Sequence, residues 1–382
     1  MKVMTILGTR PEIIRLSRVM AALDELVDHK LVHTGQNYDY GLNEVFFEEL
    51  GVRQPDHFLA VDTSSLGQTL GEILSKTEAV LLEEKPDAVL VLGDTNSAIA
   101  TLMAKRMKIP TYHMEAGNRC FDANVPEEVN RKMVDHVADF NLVYTEHARR
   151  HLISEGLPHR FIYLTGSPMR EVLEHMLPQI EQSTVLETLD LEAGQYFIVS
   201  VHREENVDSR ENLREVVASL EALHDAFGYP VVVSTHPRTR QRLENLGLGD
   251  DTKAIRFLKP FGFLDYNHLQ MHAYCAISDS GTISEEAAIL GFPAVTLRRS
   301  IERPEALDTG AIALTGLDQN VLIDGVRIAT SARSVFSNTE REMPEEYRIR
   351  NTSERVVRLI SGTAKLANRW RNMDEFSRYD WS

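Results

Sequence analysis

The sequence is poor in cysteine and in positive charge, and it lacks any long apolar run. Only Cys120 and Cys275 occur in 382 residues, and neither belongs to a CxxC pair. A disulfide framework is excluded, and a reducing compartment is expected. Lys and Arg number 41 against 57 Asp and Glu, a formal charge of −16. Such a field repels extended polyanions, so neither nucleic acid nor an anionic membrane is expected as a partner. It leaves room for a local basic pocket that holds a small anion. No uncharged apolar stretch nears the roughly 18 residues of a membrane span. The opening MKVMTIL runs into Gly8, Arg10 and Glu12 too soon to be a signal peptide, which points to the cytoplasm. Several motifs are missing as well. There is no GxGxxG after the first strand, no GxxxxGK[ST], no GxSxG and no HExxH. A classical dinucleotide oxidoreductase, a P-loop NTPase, an α/β-hydrolase and a zinc protease are thereby disfavoured. His33, His113, His202 and His236 fall on separate predicted strands without metal-like spacing.

What is present is an alternation of short β-rich runs and longer helical ones. The spacing predicts strands at Lys2–Leu7, Lys30–His33, Ala88–Leu92, Thr111–Met114, Leu142–Thr145 and Phe161–Thr165. Between them, helices are expected to begin at Pro11 and to cover Ser97–Arg106 and Glu127–Val137. Residues 169–195 turn polar and helix-leaning, as a crossover would. The alternation then restarts, with strands at Tyr196–Val201, Val231–Thr235, Ile255–Leu258 and Tyr274–Ile277. Helices are expected at Arg210–Ala226 and Ile283–Leu290, and a helical stretch at Ser353–Trp370. A βαβα order of this kind implies parallel, doubly wound sheets, and the length suits two domains.

In open parallel sheets ligands bind beyond the carboxyl ends of the strands. Those ends read Gly8-Thr9-Arg10, His33-Thr34-Gly35-Gln36, Gly93-Asp94-Thr95-Asn96, Glu115-Ala116-Gly117, His202-Arg203, His236-Pro237-Arg238 and Asp279-Ser280-Gly281-Thr282. Turn chemistry explains part of this; seven ends rich in Arg and His exceed what turns need. Ser280, Gly281 and Thr282 lead into a helix, whose free N–H groups favour an anion. Plain helix capping by Asp279 or Ser280 is equally open. With Arg10, His202 and Arg203 the set suits a diphosphate. Glu286 fits two ribose hydroxyls or a solvated helix face. Tyr266 fits a stacked base or core packing. Asp94, Glu115 and Glu127 are expected to converge, to repel one another and so to raise the pKa of at least one. Capping for Asp94 and helix-dipole pairing for Glu127 and Glu128 are the plainer alternatives.

The motifs GTRPE (8–12), GDT (93–95), MEAG (114–117), PEEVNR (126–131), DSG (279–281), EE (285–286) and ERPEA (302–306) together resemble the non-hydrolysing UDP-N-acetylglucosamine 2-epimerases. Their order and spacing span residues 1 to about 310. The resemblance implies a glycosyltransferase-B-type architecture, two Rossmann-like parallel-sheet domains with the ligand in the cleft between them. It implies domains at 1–170 and 190–352, with the C-terminal helix, about 353–382, packed back on the first. The activity implied is inversion at C2 of a UDP-2-acetamido sugar, by elimination of UDP to a 2-acetamidoglycal and re-addition. Neither nicotinamide nor metal is required, so no cofactor is expected. Carried onto this sequence, Asp94, Glu115, Glu127 and His202 correspond to the catalytic set. Arg10, Arg131, Arg203, Tyr266, Ser280, Gly281, Thr282 and Glu286 correspond to the UDP and diphosphate contacts. Arg15, Gln36 and Asn118 are sugar-side candidates. A homodimer is also implied.

This chain departs from the commoner members at Arg15, where lysine is usual, and at SVHREEN (200–206) in place of GHRRES. EAGNRCFD replaces EAGLRT, placing Asn118 and Cys120 beside Glu115. HTGQNYDY, NRCFD and SVHREEN resemble the branch that converts UDP-2-acetamido-2,6-dideoxy-L-talose to UDP-N-acetyl-L-fucosamine. The UDP-GlcNAc/UDP-ManNAc epimerase is the alternative. Either product would feed surface-polysaccharide or O-antigen synthesis. A glycosyltransferase of the same fold, a UDP-sugar sensor and a hydrolysing variant are the competing classes.

Overall fold

The computed structural model describes the chain apart from residues 37–39, 123–124, 250–251, 253, 300–301, 336–342, 372 and 374–382, together with the side chains of 40–44, 204–205 and 332–335. Residues 37–39 of the HTGQNYDY run and the Glu204 side chain therefore lie outside the described residues. The chain divides into two compact units. The first comprises Met1–Val172 and Arg348–Ser382, the second Leu173–Tyr347.

Unit one is built on a seven-stranded parallel sheet. Its strands are β1 (Lys2–Leu7), β2 (Asp28–His33), β3 (His57–Phe58), β4 (Ala88–Leu92), β5 (Thr111–Met114), β6 (Phe140–Val143) and β7 (Ile162–Leu164). They lie in the order β3-β2-β1-β4-β5-β6-β7. The AVLVL run of β4 is buried along its whole length, as a strand with helices on both faces must be. The helix Arg10–Leu26 has Pro11 in its first turn and turns Ile13, Leu16, Val19, Met20 and Leu23 inward at helical spacing. Unit two carries a six-stranded parallel sheet in the order β10-β9-β8-β11-β12-β13. These are β8 (Phe197–Ser200), β9 (Val231–Ser234), β10 (Ile255–Leu258), β11 (Cys275–Ser278), β12 (Ala294–Thr296) and β13 (Ala313–Leu314). Alternate residues feed its two cores. Phe197, Val199, Val231, Val233 and Ile277 enter one, while Ile198, Val232 and Ala276 enter the other. That is the period-two pleat of a sheet buried on both sides. The alternation implies parallel, doubly wound α/β sheets in two domains, and two Rossmann-like parallel-sheet units are what the chain forms.

The differences from the sequence reading have local causes. Ser97–Arg106 is a 3-10 turn, Asn96–Ile99, followed by a helix, Ala100–Arg106. The expected strand Leu142–Thr145 sits two residues earlier, because Thr145 caps the helix Glu146–Ser154 by accepting from Ala148 N–H at 3.2 Å. The stretch 169–195 forms two helices, Met169–Glu181 and Val185–Leu189. The terminal stretch also breaks in two, Thr352–Thr363 and Ala367–Trp370. Strands β3, β12 and β13 are two or three residues long, too short to show a period. Among the described residues no helix is long and apolar enough to cross a membrane.

The returning terminus is fastened to unit one by defined bonds. Thr352 Oγ1 donates to the carbonyls of Thr165 and Ser167 at 3.1 and 3.2 Å. Thr363 and Tyr112 share a hydroxyl bond of 2.7 Å. Gly166, with φ +81°, lies beneath Ile349, whose Cδ1 would stand 2.7 Å from any added Cβ. Gly194, at φ +76°, faces open space. Gly194→Ala is therefore expected to lose only the left-handed backbone term, about 1–2 kcal/mol. Gly166→Ala should lose more, because the terminal segment must also shift. Urea unfolding of both variants checks this, and equal losses would contradict the close packing at Gly166.

Candidate active site

In each sheet the strand order reverses at one place, between β1 and β4 in unit one and between β8 and β11 in unit two. Such switch points open a crevice at the carboxyl ends. The residues that follow these four strands are Gly8-Thr9-Arg10, Gly93-Asp94, His202-Arg203 and Asp279-Ser280-Gly281. Arg10, Asp94, His202, Arg203, Ser280 and Gly281 thus fall at the switch point of their unit, while Glu115 follows β5.

In unit one, Asp94 and Glu115 follow neighbouring parallel strands whose last residues, Leu92 and Met114, are register partners. Glu115 is ion-paired with the buried Arg15, whose guanidinium also lies 5.9 Å from the Tyr144 ring. Asn118 Nδ2 donates to the same carboxylate at 3.3 Å. Glu115 has φ +62°, a left-handed conformation that adds about 1–3 kcal/mol of strain to a non-glycine residue. Asp94 is ion-paired with Arg131, which reaches it from the helix Pro126–Val137 and also binds Glu128 at 2.8 Å. Glu127 is half-buried in the first turn of that helix, while Glu128 beside it is buried. Burial pushes the Glu128 carboxyl up, but bonds from Cys120 and the charge of Arg131 hold it below the usual range. The Cys120 thiol lies 3.3 Å from Glu128 and is itself pushed up by burial. Arg10 opens its helix with the guanidinium 5.7 Å from the Phe46 ring. Gln36 lies over Gly8, where an added Cβ would meet its Cγ at 3.3 Å.

Of the three carboxylates expected to converge, Asp94 and Glu115 each meet an arginine, Arg131 and Arg15. At these strand ends the raised group is Glu12, pushed up to about 7 by burial. It is 1% exposed. It accepts from Gly8 N–H at 3.0 Å, Thr9 Oγ1 at 2.8 Å and Thr95 Oγ1 at 3.0 Å. One side chain thereby joins the loop bearing Arg10 to the loop bearing Asp94.

In unit two the buried Asp279 does not cap the helix Ile283–Leu290 that follows it. It accepts instead from the backbone N–H of His202 and Arg203, at 3.1 and 3.0 Å, and from Asn206 Nδ2 at 3.0 Å. Ser280 Oγ takes the Thr282 N–H at 3.3 Å and bonds its hydroxyl at 3.0 Å. Around Gly281 stand Arg203, Arg298 and Glu302, all within 4.0 Å of where its Cβ would be. Arg298 and Arg203 both reach Glu302, at 2.9 and 3.3 Å. Half-exposed His202 turns Nδ1 to within 3.3 Å of Asp279. Glu286 is buried, which excludes the solvated-face alternative, and it accepts from Gln270 at 2.9 Å. Tyr266 lies on the helix Phe263–His272, partly buried against the core that contains Leu269 and Ala287. Burial pushes its hydroxyl well above the usual phenol range.

Sequence reasoning missed Glu12, Glu128, Arg298 and Glu302 as site residues. Glu12 and Glu302 were inside recognised motifs. Arg298 follows β12, a strand too short to be seen, so the strand-end survey passed over it. Among the described residues, no three His, Cys, Asp or Glu side chains group as a metal site.

Residues 21–361 match the protein-family model described as UDP-N-acetylglucosamine 2-epimerase. A UDP-N-acetylglucosamine 2-epimerase structure from Rickettsia bellii is 45% identical, with a TM-score of 0.89 over 97% of this chain and 98% of that one. The Methanocaldococcus jannaschii UDP-GlcNAc 2-epimerase, solved with UDP-GlcNAc and UDP, is 36% identical, with a TM-score of 0.87 over 95% and 100%. A UDP-2,3-diacetamido-2,3-dideoxy-D-glucuronate 2-epimerase of Pseudomonas aeruginosa is 33% identical over 94% of this chain and 99% of its own length.

Glu12 supplies a test of the electrostatics. Its folded pKa of about 7 stands above the ordinary 4.5, so the folded chain holds an extra proton between those values. Stability must fall as pH rises through that window. Glu12→Gln cannot titrate. From pH 5 to pH 8 it should gain roughly 2–3 kcal/mol relative to the unsubstituted protein. Urea unfolding at both pH values measures the difference, and a constant difference would remove burial as the cause.

Proposed function

Since the chain belongs to the UDP-N-acetylglucosamine 2-epimerase family, whose members are non-hydrolysing isomerases, we propose that it inverts C2 of a UDP-2-acetamido sugar by elimination and re-addition of UDP. The observation that carries this reading is the placement of Asp94 and Glu115 on neighbouring strand ends, each fixed by a buried arginine. In the proposed reaction a carboxylate removes the C2 proton while the C1–O bond breaks. UDP leaves with the bonding pair, forming the 2-acetamidoglycal. A second carboxyl returns a proton to the opposite face of C2, and a UDP oxygen closes on C1. No net electrons move, so the scheme needs no redox cofactor. Asp94, Glu115 and Glu127 are the proposed proton carriers.

Charge on the leaving diphosphate calls for fixed cations and N–H donors. We assign that work to Arg203, Arg298 and the Ser280–Thr282 turn, with His202 beside them. Glu286 and Tyr266 are assigned to the nucleoside. Arg15, Gln36 and Asn118 are assigned to the sugar.

For the sugar itself, the HTGQNYDY, NRCFD and SVHREEN runs support the 6-deoxy-L-series, UDP-2-acetamido-2,6-dideoxy-L-talose to UDP-N-acetyl-L-fucosamine. UDP-GlcNAc is the second reading, favoured by the names of relatives 36–45% identical. The Pseudomonas relative, at 33% identity, carries the name of an epimerase for a different sugar, so family membership leaves the sugar open. The product would serve as a precursor of surface polysaccharide.

The test is incubation with each UDP sugar in deuterated water, read by NMR. One of them is expected to epimerise and to gain one deuterium at C2. Epimer without label would sink the elimination route, and sugar transfer to an added acceptor with no epimer would favour a transferase. Asp94→Asn and Glu115→Gln should each lower kcat by roughly 10²–10⁴-fold while UDP still binds.

A further inference from the structure

The helix Pro126–Val137 carries a second acid that the proposed reaction does not use. Asp135 is wholly buried. The Gly117 N–H donates to its carboxylate, 3.2 Å from each oxygen. Arg119 Nη1 lies 2.8 Å from one oxygen, and His113 Nδ1 lies 2.9 Å from the other. Burial pushes the Asp135 carboxyl up, but His113 and Arg119 outweigh it and hold it below the ordinary range. The opposite ring nitrogen of His113 stands 2.7 Å from the carbonyl oxygen of Gly93.

These contacts fall beside both candidate carboxylates. Gly93 immediately precedes Asp94, and Gly117 comes two residues after Glu115. Glu115 is held at φ +62° and Gly117 at +80°. A side chain at Gly117 would strike the Ala148 carbonyl, so the turn has little room to relax. His151 bonds the Gly117 carbonyl at 2.9 Å, and Glu155 grips Arg119 with two bonds of 2.7 Å. Unfavourable backbone conformations of this kind persist only where the surroundings over-determine them.

We propose that Asp135, seated against His113, is a positioning residue that holds the Glu115–Arg119 turn in its left-handed form and ties it to the Gly93–Asp94 turn. It acts through Glu115 and Asp94 and does not touch substrate. The proposal rests on the epimerase reading for the work those carboxylates do.

Asp135→Asn tests it. The epimerase assay is expected to show kcat lowered about 10- to 100-fold, with KM and the UDP dissociation constant within twofold of the unsubstituted protein. A kcat within threefold would overturn the proposal. So would a fall in kcat matched by an equal weakening of substrate and UDP binding, because that describes general loss of structure. Should Asp135→Asn fail to fold, His113→Gln decides. Its amide can still donate to Gly93 but cannot reach Asp135 as well, and a tenfold fall in kcat at unchanged KM is expected. An unchanged kcat there would overturn the proposal. A second readout is independent of activity. Amide exchange in a peptide covering 112–122 should rise at least tenfold in the variant, with peptides of unit two unchanged. Unaltered exchange would overturn the positioning role even if no UDP sugar were turned over. An inactive unsubstituted protein with raised exchange in the variant would overturn the epimerase reading alone.

Discussion

A buried carboxylate is tolerable only when donors meet it, and three such carboxylates organise the strand ends of this protein. Glu12 takes the Gly8 N–H, Asp135 the Gly117 N–H, and Asp279 the N–H groups of His202 and Arg203. Each accepts from the backbone of a loop that follows a strand. Each thereby fixes a loop whose neighbouring side chains, Arg10, Glu115, and His202 with Arg203, are in the candidate site. The buried acid forgoes its own chance at catalysis and confers a fixed direction on the residue next to it. Both parallel sheets reach this same arrangement, which marks it as a response to a shared constraint. A loop leaving a parallel strand has unsatisfied N–H groups, and a carboxylate answers several at once.

The positions of most strands were legible because their residues are buried on both faces. Runs such as AVLVL and VVVS have no other plausible home in a water-soluble pattern. Their ends were legible for the same reason, since a glycine with a charged residue directly after an apolar run marks the carboxyl edge of a sheet. What escaped was short or tertiary. Strand β12 spans three residues, and the arginine it delivers, Arg298, escaped with it. Glu127 and Glu128 are adjacent in the same helical turn, about 100° apart around the axis. Sequence pattern cannot choose which faces inward. Arg131, three residues on from Glu128, makes that choice by pairing with it. Tyr266 stands on the helix Phe263–His272, whose GFLDYNHL run shows no clear period from which to place it.

The acidic balance of the chain takes on a different meaning once the pairs are seen. The charge of −16 argued against extended polyanions, and the expected convergence of Asp94, Glu115 and Glu127 argued for mutual repulsion. In the fold, arginines absorb that repulsion one by one. Arg15 meets Glu115, Arg131 meets both Asp94 and Glu128, Arg298 and Arg203 share Glu302, and Arg303 meets Glu285. The consequence for anion binding follows directly. Near Gly281 the guanidinium groups of Arg203 and Arg298 converge on Glu302 while the buried Asp279 takes the N–H groups of His202 and Arg203, so the local balance is even while the whole chain is negative. Under the proposed function, the diphosphate would meet guanidinium groups already oriented by Glu302, and these paired cations, rather than the net charge, would hold it.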